Sequence, residues 1–184
     1  CASVVAIEPQ EDCASVLYKS FGGNSNFNLL KEGLSKSSGE MELYLSPENT
    51  VSSMSQKWIE NAIETNKFPG TVWDESTTVK TRTLDQLIQS YGKPNFIKID
   101  VEGFEEDVLL GLSQKCSFIS FEFTLGYLRS TVNCLKRLHT LGYEYFQICY
   151  GEEMAFKLDK WSKIERIILE LKNKDVAFGD IYAK

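Results

Sequence analysis

The sequence predicts an α/β fold, a three-layer arrangement with a mostly parallel sheet and an antiparallel edge, and three observations predict it. Apolar, β-branched runs alternate with segments of helical apolar spacing along most of the chain, the order that builds parallel strands joined by crossover helices. One run, residues 96–101, passes directly into helical spacing at Phe104, Val108, Leu109 and Leu112, as expected of a central strand covered on both faces. Late in the chain, residues 143–150 and 154–158 read as strands in close succession, and short connections of that kind allow antiparallel pairing.

Residues 4–9 open with a strand, and residues 10–21 follow as a helix with Ala14, Leu17, Tyr18 and Phe21 on one face, stopped by Gly22-Gly23-Asn24. Residues 27–34 read as one strand, and the turn Ser37-Ser38-Gly39 leads into residues 41–45, expected beside it. Residues 47–76 are the least regular stretch, a possible lid or substrate-facing insertion around a helix at residues 53–66. Trp58 in that helix reads as core, whereas Trp73, among Thr71, Asp74 and Ser76, is a candidate for stacking on a sugar. A strand at residues 77–83 and a helix at residues 84–91, ended by Gly92, precede the central unit. After it come a strand at residues 118–123 and an amphipathic helix at residues 128–141, then a strand at residues 143–150 and its partner at residues 154–158. A helix at residues 161–172 and a closing strand at residues 176–182 complete the chain.

At 184 residues the chain fits one domain with a full core. No apolar run approaches the roughly 20 residues that span a bilayer, so no membrane partner is expected. A net charge of −6 with dispersed lysines argues against a nucleic-acid surface. Cys1, Cys13, Cys116, Cys134 and Cys149 show neither disulfide nor zinc spacing, which suits idle thiols in a reducing, cytoplasmic setting. His139, the only histidine, has no partner motif and reads as structural.

Three strand candidates end on or near an acid: Glu8, Asp100 and Glu122. Carried by parallel strands of one sheet, they would meet at its carboxyl edge, where open α/β sheets bind ligands. An acidic rim accepts hydrogen bonds from sugar hydroxyls or holds a hard cation. Glu102, two residues beyond Asp100, joins it at the strand-to-helix switch, and Lys98 points into the same region by strand alternation. Asp100 as a helix cap and Glu102 as first-turn decoration is the alternative reading of the same pair.

In order along the chain, Val5-Ala6-Ile7-Glu8-Pro9, Gly33-Leu34-Ser35, Thr83-Leu84-Asp85, Ile97-Lys98-Ile99-Asp100-Val101-Glu102-Gly103 and Phe121-Glu122-Phe123 resemble the signature blocks of FkbM-type methyltransferases. The resemblance extends from Val5 to about Gly142 and fades beyond. It implies a Rossmann-like methyltransferase fold that uses S-adenosyl-L-methionine to methylate a hydroxyl of a sugar or secondary-metabolite-like small molecule. It further implies that Glu8, with Pro9 beside it, holds the ribose of the cofactor, that Asp100 and Glu102 fall beside the reacting groups with Asp100 also touching the cofactor, and that Glu122 faces the substrate. Only seven residues precede Glu8, too few for the first strand, Gly-rich turn and helix of such a fold. The sequence is therefore expected to be N-terminally incomplete relative to that fold, through truncation, omission or loss of catalysis.

On this reading Asp100, or in second place Glu102, takes the hydroxyl proton as methyl passes to the oxygen, and no metal is required. A variant has Asp100 and Glu122 hold Mg²⁺. The rivals are a catalytically inactive methyltransferase-like scaffold and a nicotinamide-dependent sugar oxidoreductase, the latter disfavoured because no Tyr-x-x-x-Lys pair follows a strand.

Overall fold

Strand β1 (Val4–Ile7) ends one residue before Glu8, and the helix after it, α1 (Glu11–Phe21), returns the chain so that β2 (Phe27–Leu30) pairs parallel with β1, Val4 opposite Phe27. This computed structural model describes residues 3–172 and 177–184. The stretch read as one strand at residues 27–34 is two. After Leu30 the chain leaves β1, and β3 (Gly33–Leu34) pairs parallel with β5 (Glu75–Arg82). Strand β4 (Gly39–Leu45) does not lie beside its predecessor; it pairs antiparallel with β5, which sits between them in the order β3-β5-β4. The seven-residue β4–β5 ladder offers more backbone hydrogen bonds than the two-residue β3 can, and that decides the neighbour.

Helix α2 (Gln56–Glu64) is shorter than its pattern suggested, starting where the Ser55 hydroxyl accepts from Trp58 N at 3.2 Å. Helix α3 (Leu84–Tyr91) opens on a reciprocal cap: Thr83 Oγ1 accepts from Gln86 N, and Gln86 Oε1 accepts from Thr83 N.

The sheet that carries the site has the order β6-β7-β9-β8, formed by β6 (Phe96–Ile99), β7 (Phe118–Thr124), β8 (Phe146–Tyr150) and β9 (Phe178–Ala183). Strands β6 and β7 run parallel, whereas β9 is antiparallel to both β7 and β8. Across the molecule the sheets are thus mixed, three pairings parallel and three antiparallel among the described residues. Pairing fixes the faces. Ile99, Phe121, Ile181 and Ile148 form one row, all buried, in the same core as Leu135 and Leu138 of α5 (Leu128–Thr140). Lys98, Ser120 and Tyr182 form the next row, on the opposite face. Helix α4 (Glu105–Leu110) packs on α5, and Arg137 of α5 donates to the Leu109 and Leu112 carbonyls, closing its end.

Residues 154–158 form no strand; one backbone bond, Lys157 N to Ile148 O, and the Gln147 side chain, which donates to the Leu158 carbonyl and accepts from Leu158 N, hold them near β8. Helix α6 is confined to Ile164–Glu170, and the closing strand begins at Phe178; the expected start at Val176 lies outside the described residues. Among the described cysteines, Cys116, Cys134 and Cys149 are free, while Cys1 lies outside the described residues. No described helix is long and apolar enough to cross a membrane.

Candidate active site

Parallel register carries the site. With Ile99 opposite Phe121, the next residue of each chain segment is an acid: Asp100 just past the end of β6, and Glu122 within β7, two residues before its end at Thr124. Glu102 joins them from the turn into α4, and carboxylate oxygens of Asp100, Glu102 and Glu122 lie within 4.8 Å of one another. Glu8 is not part of this group. Strand β1 belongs to its own two-stranded sheet, and no strand among the described residues links β1 to β6. The expectation that one sheet would bring Glu8, Asp100 and Glu122 to one edge is therefore corrected: two of the three meet, and Glu102 supplies the third carboxylate.

The turn between β6 and α4 is built against its own preferences. Glu102 has φ +49° and Gly103 φ +83°, two successive residues in left-handed space, costly for a side-chain-bearing residue unless its surroundings hold it. Three groups hold it. Glu105 is only 6 % exposed, and its Oε1 accepts from Gly103 N at 3.1 Å and Val101 N at 3.3 Å. Ser53, at the start of the insertion, donates its hydroxyl to the Glu102 carbonyl at 2.6 Å. The Trp58 ring packs so closely on Gly103 that a Cβ there would sit 2.2 Å from two of its ring carbons.

Burial raises the proton affinity of every carboxylate on the inner side of this turn. It pushes Glu102 up to about 7, helped by the Asp100 charge and opposed by Lys67. Glu122 is pushed up to about 8 by burial and then by the charges of Glu102 and Asp100. Glu105 is pushed up to about 7 by burial, against the backbone hydrogen bonds it accepts. Folding therefore favours the neutral forms. The stability these groups lend is complete below about pH 4.5 and is lost as pH rises through 7 to 8. Thermal denaturation is expected to show a higher Tm at pH 5.5 than at pH 8.5, by about 2–4 °C per kcal/mol lost, with a shallower dependence in Glu122→Gln. A Tm that is flat or rises across that window would contradict this electrostatic account.

Of the other residues singled out from the sequence, Lys98 bonds Asp180 and lies 3.3 Å from Asp100. Asp100 itself is about half exposed, at 48 % of its side chain. The Glu8 carboxylate, at the end of β1, accepts from Gln10 N at 2.7 Å, and burial raises its pKa against that bond. Beside it, Pro9 lines an open groove of about 690 Å³ with Gln10, Lys31, Ser46 and Thr78. Trp73 is partly buried: it packs edge-on against Trp58, with ring centroids 6.1 Å apart, and donates its indole N–H to the Val51 carbonyl at 2.8 Å. His139 lies in the last turn of α5, its Nδ1 3.4 Å from the Tyr143 carbonyl oxygen.

Two site residues were missed. By sequence Glu105 is one of three consecutive acids at a helix start, where carboxylates commonly favour the helix dipole; its position three residues after Glu102, behind a glycine, was the available signal. Lys67 had none, since its place in the site depends on contacts far along the chain. Its Nζ donates to Thr124 Oγ1 at 3.2 Å and feels the charges of Glu102, Glu122 and Glu105.

Asp100, Glu102 and Glu122 have the spacing to hold a hard cation, and Glu8, fixed by Gln10 at a strand's carboxyl end, fits the diol of a nucleoside. Glu105, Glu122 and Gly103 line a cavity of only about 10 Å³, room for about one water. A sugar would have to bind on the open side, where Asp100 is exposed.

The model of the methyltransferase FkbM domain matches residues 1–175. A hexuronic acid methyltransferase, AglP of Haloferax volcanii, is 31 % identical over 123 residues, 65 % of this chain and 45 % of that protein. The crystal structure of methyltransferase FkbM from Methylobacillus flagellatus KT superposes on 99 % of this chain with a TM-score of 0.52 and 16 % identity, using 36 % of its own length. The chain thus spans less than half the length of either relative. With the family model covering nearly all of it, and with the Lys98–Gly103 block at the centre of its acidic site, this chain belongs to the FkbM methyltransferase domain family.

Proposed function

We propose that this domain serves methyl transfer from S-adenosyl-L-methionine to a hydroxyl of a sugar or secondary-metabolite-like small molecule. The observation that carries the reading is the convergence of Asp100, Glu102 and Glu122 near the carboxyl ends of neighbouring parallel strands, in a chain of a methyltransferase family. The archaeal relative, named for a hexuronic acid, supports a sugar acceptor.

Glu8, backed by Pro9, would hold the cofactor's ribose hydroxyls, and the bound cofactor would supply an activated methyl carbon. The acceptor hydroxyl would be presented to that carbon beside the carboxyl ends of β6 and β7, and its proton would pass to a carboxylate of this chain. Glu102 is assigned this role ahead of Asp100. Asp100 is engaged by Lys98 at 3.3 Å, whereas Glu102 forms no ion pair among the described residues and is held rigidly by the turn. A carboxylate with proton affinity near neutrality can accept a proton and give it up again. Asp100 and Glu122 then orient the acceptor's neighbouring hydroxyls, with Lys98 fixing Asp100.

Binding and transfer test this separately. S-adenosylhomocysteine is expected to stabilise the protein by about 2.7 kcal/mol at a hundredfold excess over its Kd, with no response to NAD. Labelled methyl should pass to a polyhydroxylated acceptor. No stabilisation by either ligand would favour the inactive scaffold, and stabilisation by NAD alone the oxidoreductase. The convergence of three carboxylates also supports a metal-assisted version, in which chelation with EDTA would abolish transfer.

A further inference from the structure

Lys67 is a cation at the site with no carboxylate partner of its own among the described residues. It follows α2, immediately after Asn66 at φ +50°, and is half-buried. Its Nζ lies 5.2 Å from the centroid of the Trp58 ring and 4.8 Å from that of Phe68, faces that attract an ammonium without accepting a conventional hydrogen bond. It donates to Thr124 Oγ1, and Thr124 stands two residues beyond Glu122 on β7. No described carboxylate lies within ion-pairing distance of it, in contrast to Lys98, which is committed to Asp180 and Asp100. An ammonium has three donors, and one is accounted for here by a neutral hydroxyl.

A half-buried ammonium without an anionic partner costs free energy that a ligand's anion can offset. Resting on the methyl-transfer reading, we propose that Lys67 is a specificity-determining residue that binds a carboxylate of the acceptor, making the preferred acceptor a sugar acid rather than a neutral sugar. The acids and the cation divide the work. Asp100, Glu102 and Glu122 accept from ring hydroxyls, and Lys67, reaching in from the insertion over its aromatic seat, pairs with the acidic group. A singly charged carboxylate suits the position better than a phosphate, because Glu102, Glu105 and Glu122 act on the same point and would repel a dianion more strongly.

The test is a matched pair of probes, methyl β-D-glucuronide and methyl β-D-glucoside, titrated by NMR into the wild-type protein and into Lys67→Met and Lys67→Arg. The glucuronide is expected to bind wild type about 10-fold tighter or more, Lys67→Met to bind both alike, and Lys67→Arg to keep the preference. Equal binding by wild type, a preference that survives in Lys67→Met, or binding of neither probe would overturn the assignment. Thermal shift with S-adenosylhomocysteine separates the two readings. Its absence from wild type counts against methyl transfer, whereas its presence without a glucuronide preference counts against Lys67 alone.

Discussion

Replacing Gly103 with alanine is expected to destabilise the protein by at least about 3 kcal/mol, the sum of a left-handed backbone penalty and overpacking. Both contributions are local and independent. At φ +83° a side chain is strained whatever the available space, and there is none, since the new Cβ would lie 2.2 Å from Trp58 Cγ and Cδ1. Trp58 cannot easily withdraw, being 2 % exposed and packed against Phe68 and Trp73. Urea denaturation measures the loss, and a change below about 1 kcal/mol would mean that the turn relaxes freely. Glu102→Gly provides the contrast: glycine tolerates φ +49°, so this variant should fold at least as stably as wild type while losing the carboxylate.

Glu102→Gln should retain the fold and S-adenosylhomocysteine binding and lose roughly 10²–10⁴ in methyl transfer, the usual worth of a positioned proton acceptor. The amide is nearly isosteric, so the turn, the Ser53 bond to the Glu102 carbonyl and the seat of Trp58 are undisturbed. Asp100→Asn loosens Lys98, which keeps Asp180, and should cost less. Single-turnover label transfer distinguishes the two variants. If Asp100→Asn proves the more damaging, the proton goes to Asp100 and the ranking of the two acids reverses.

The sequence conveyed the centre of this site well because its information is local. An apolar strand running into an acid-rich helix start is one continuous stretch, and the β6–β7 register follows from two such stretches pairing in parallel. What depended on distant partners was not legible. Residues 41–45 alternate as a strand should, but nothing in them says that β5, some thirty residues later, will be the neighbour. The expected strand at residues 154–158 has a suitable pattern and makes one backbone bond to β8 where a strand would make several. Trp73 looked free because its neighbours in sequence are polar, yet its neighbours in space are Trp58 and Phe68. Glu8 was placed with the other acids by assuming a single sheet, and the described residues form three.

The Glu105 carboxylate bonded to the Val101 and Gly103 amides has a consequence for deuterium exchange. Those two protons belong to a connection, where exchange is ordinarily fast, yet they are sequestered as though inside a ladder. They can be released only when the connection lifts off its buried anchor, the same event that disperses the acids at the strand ends. Their exchange rates therefore clock how often the reaction centre comes apart in the native protein.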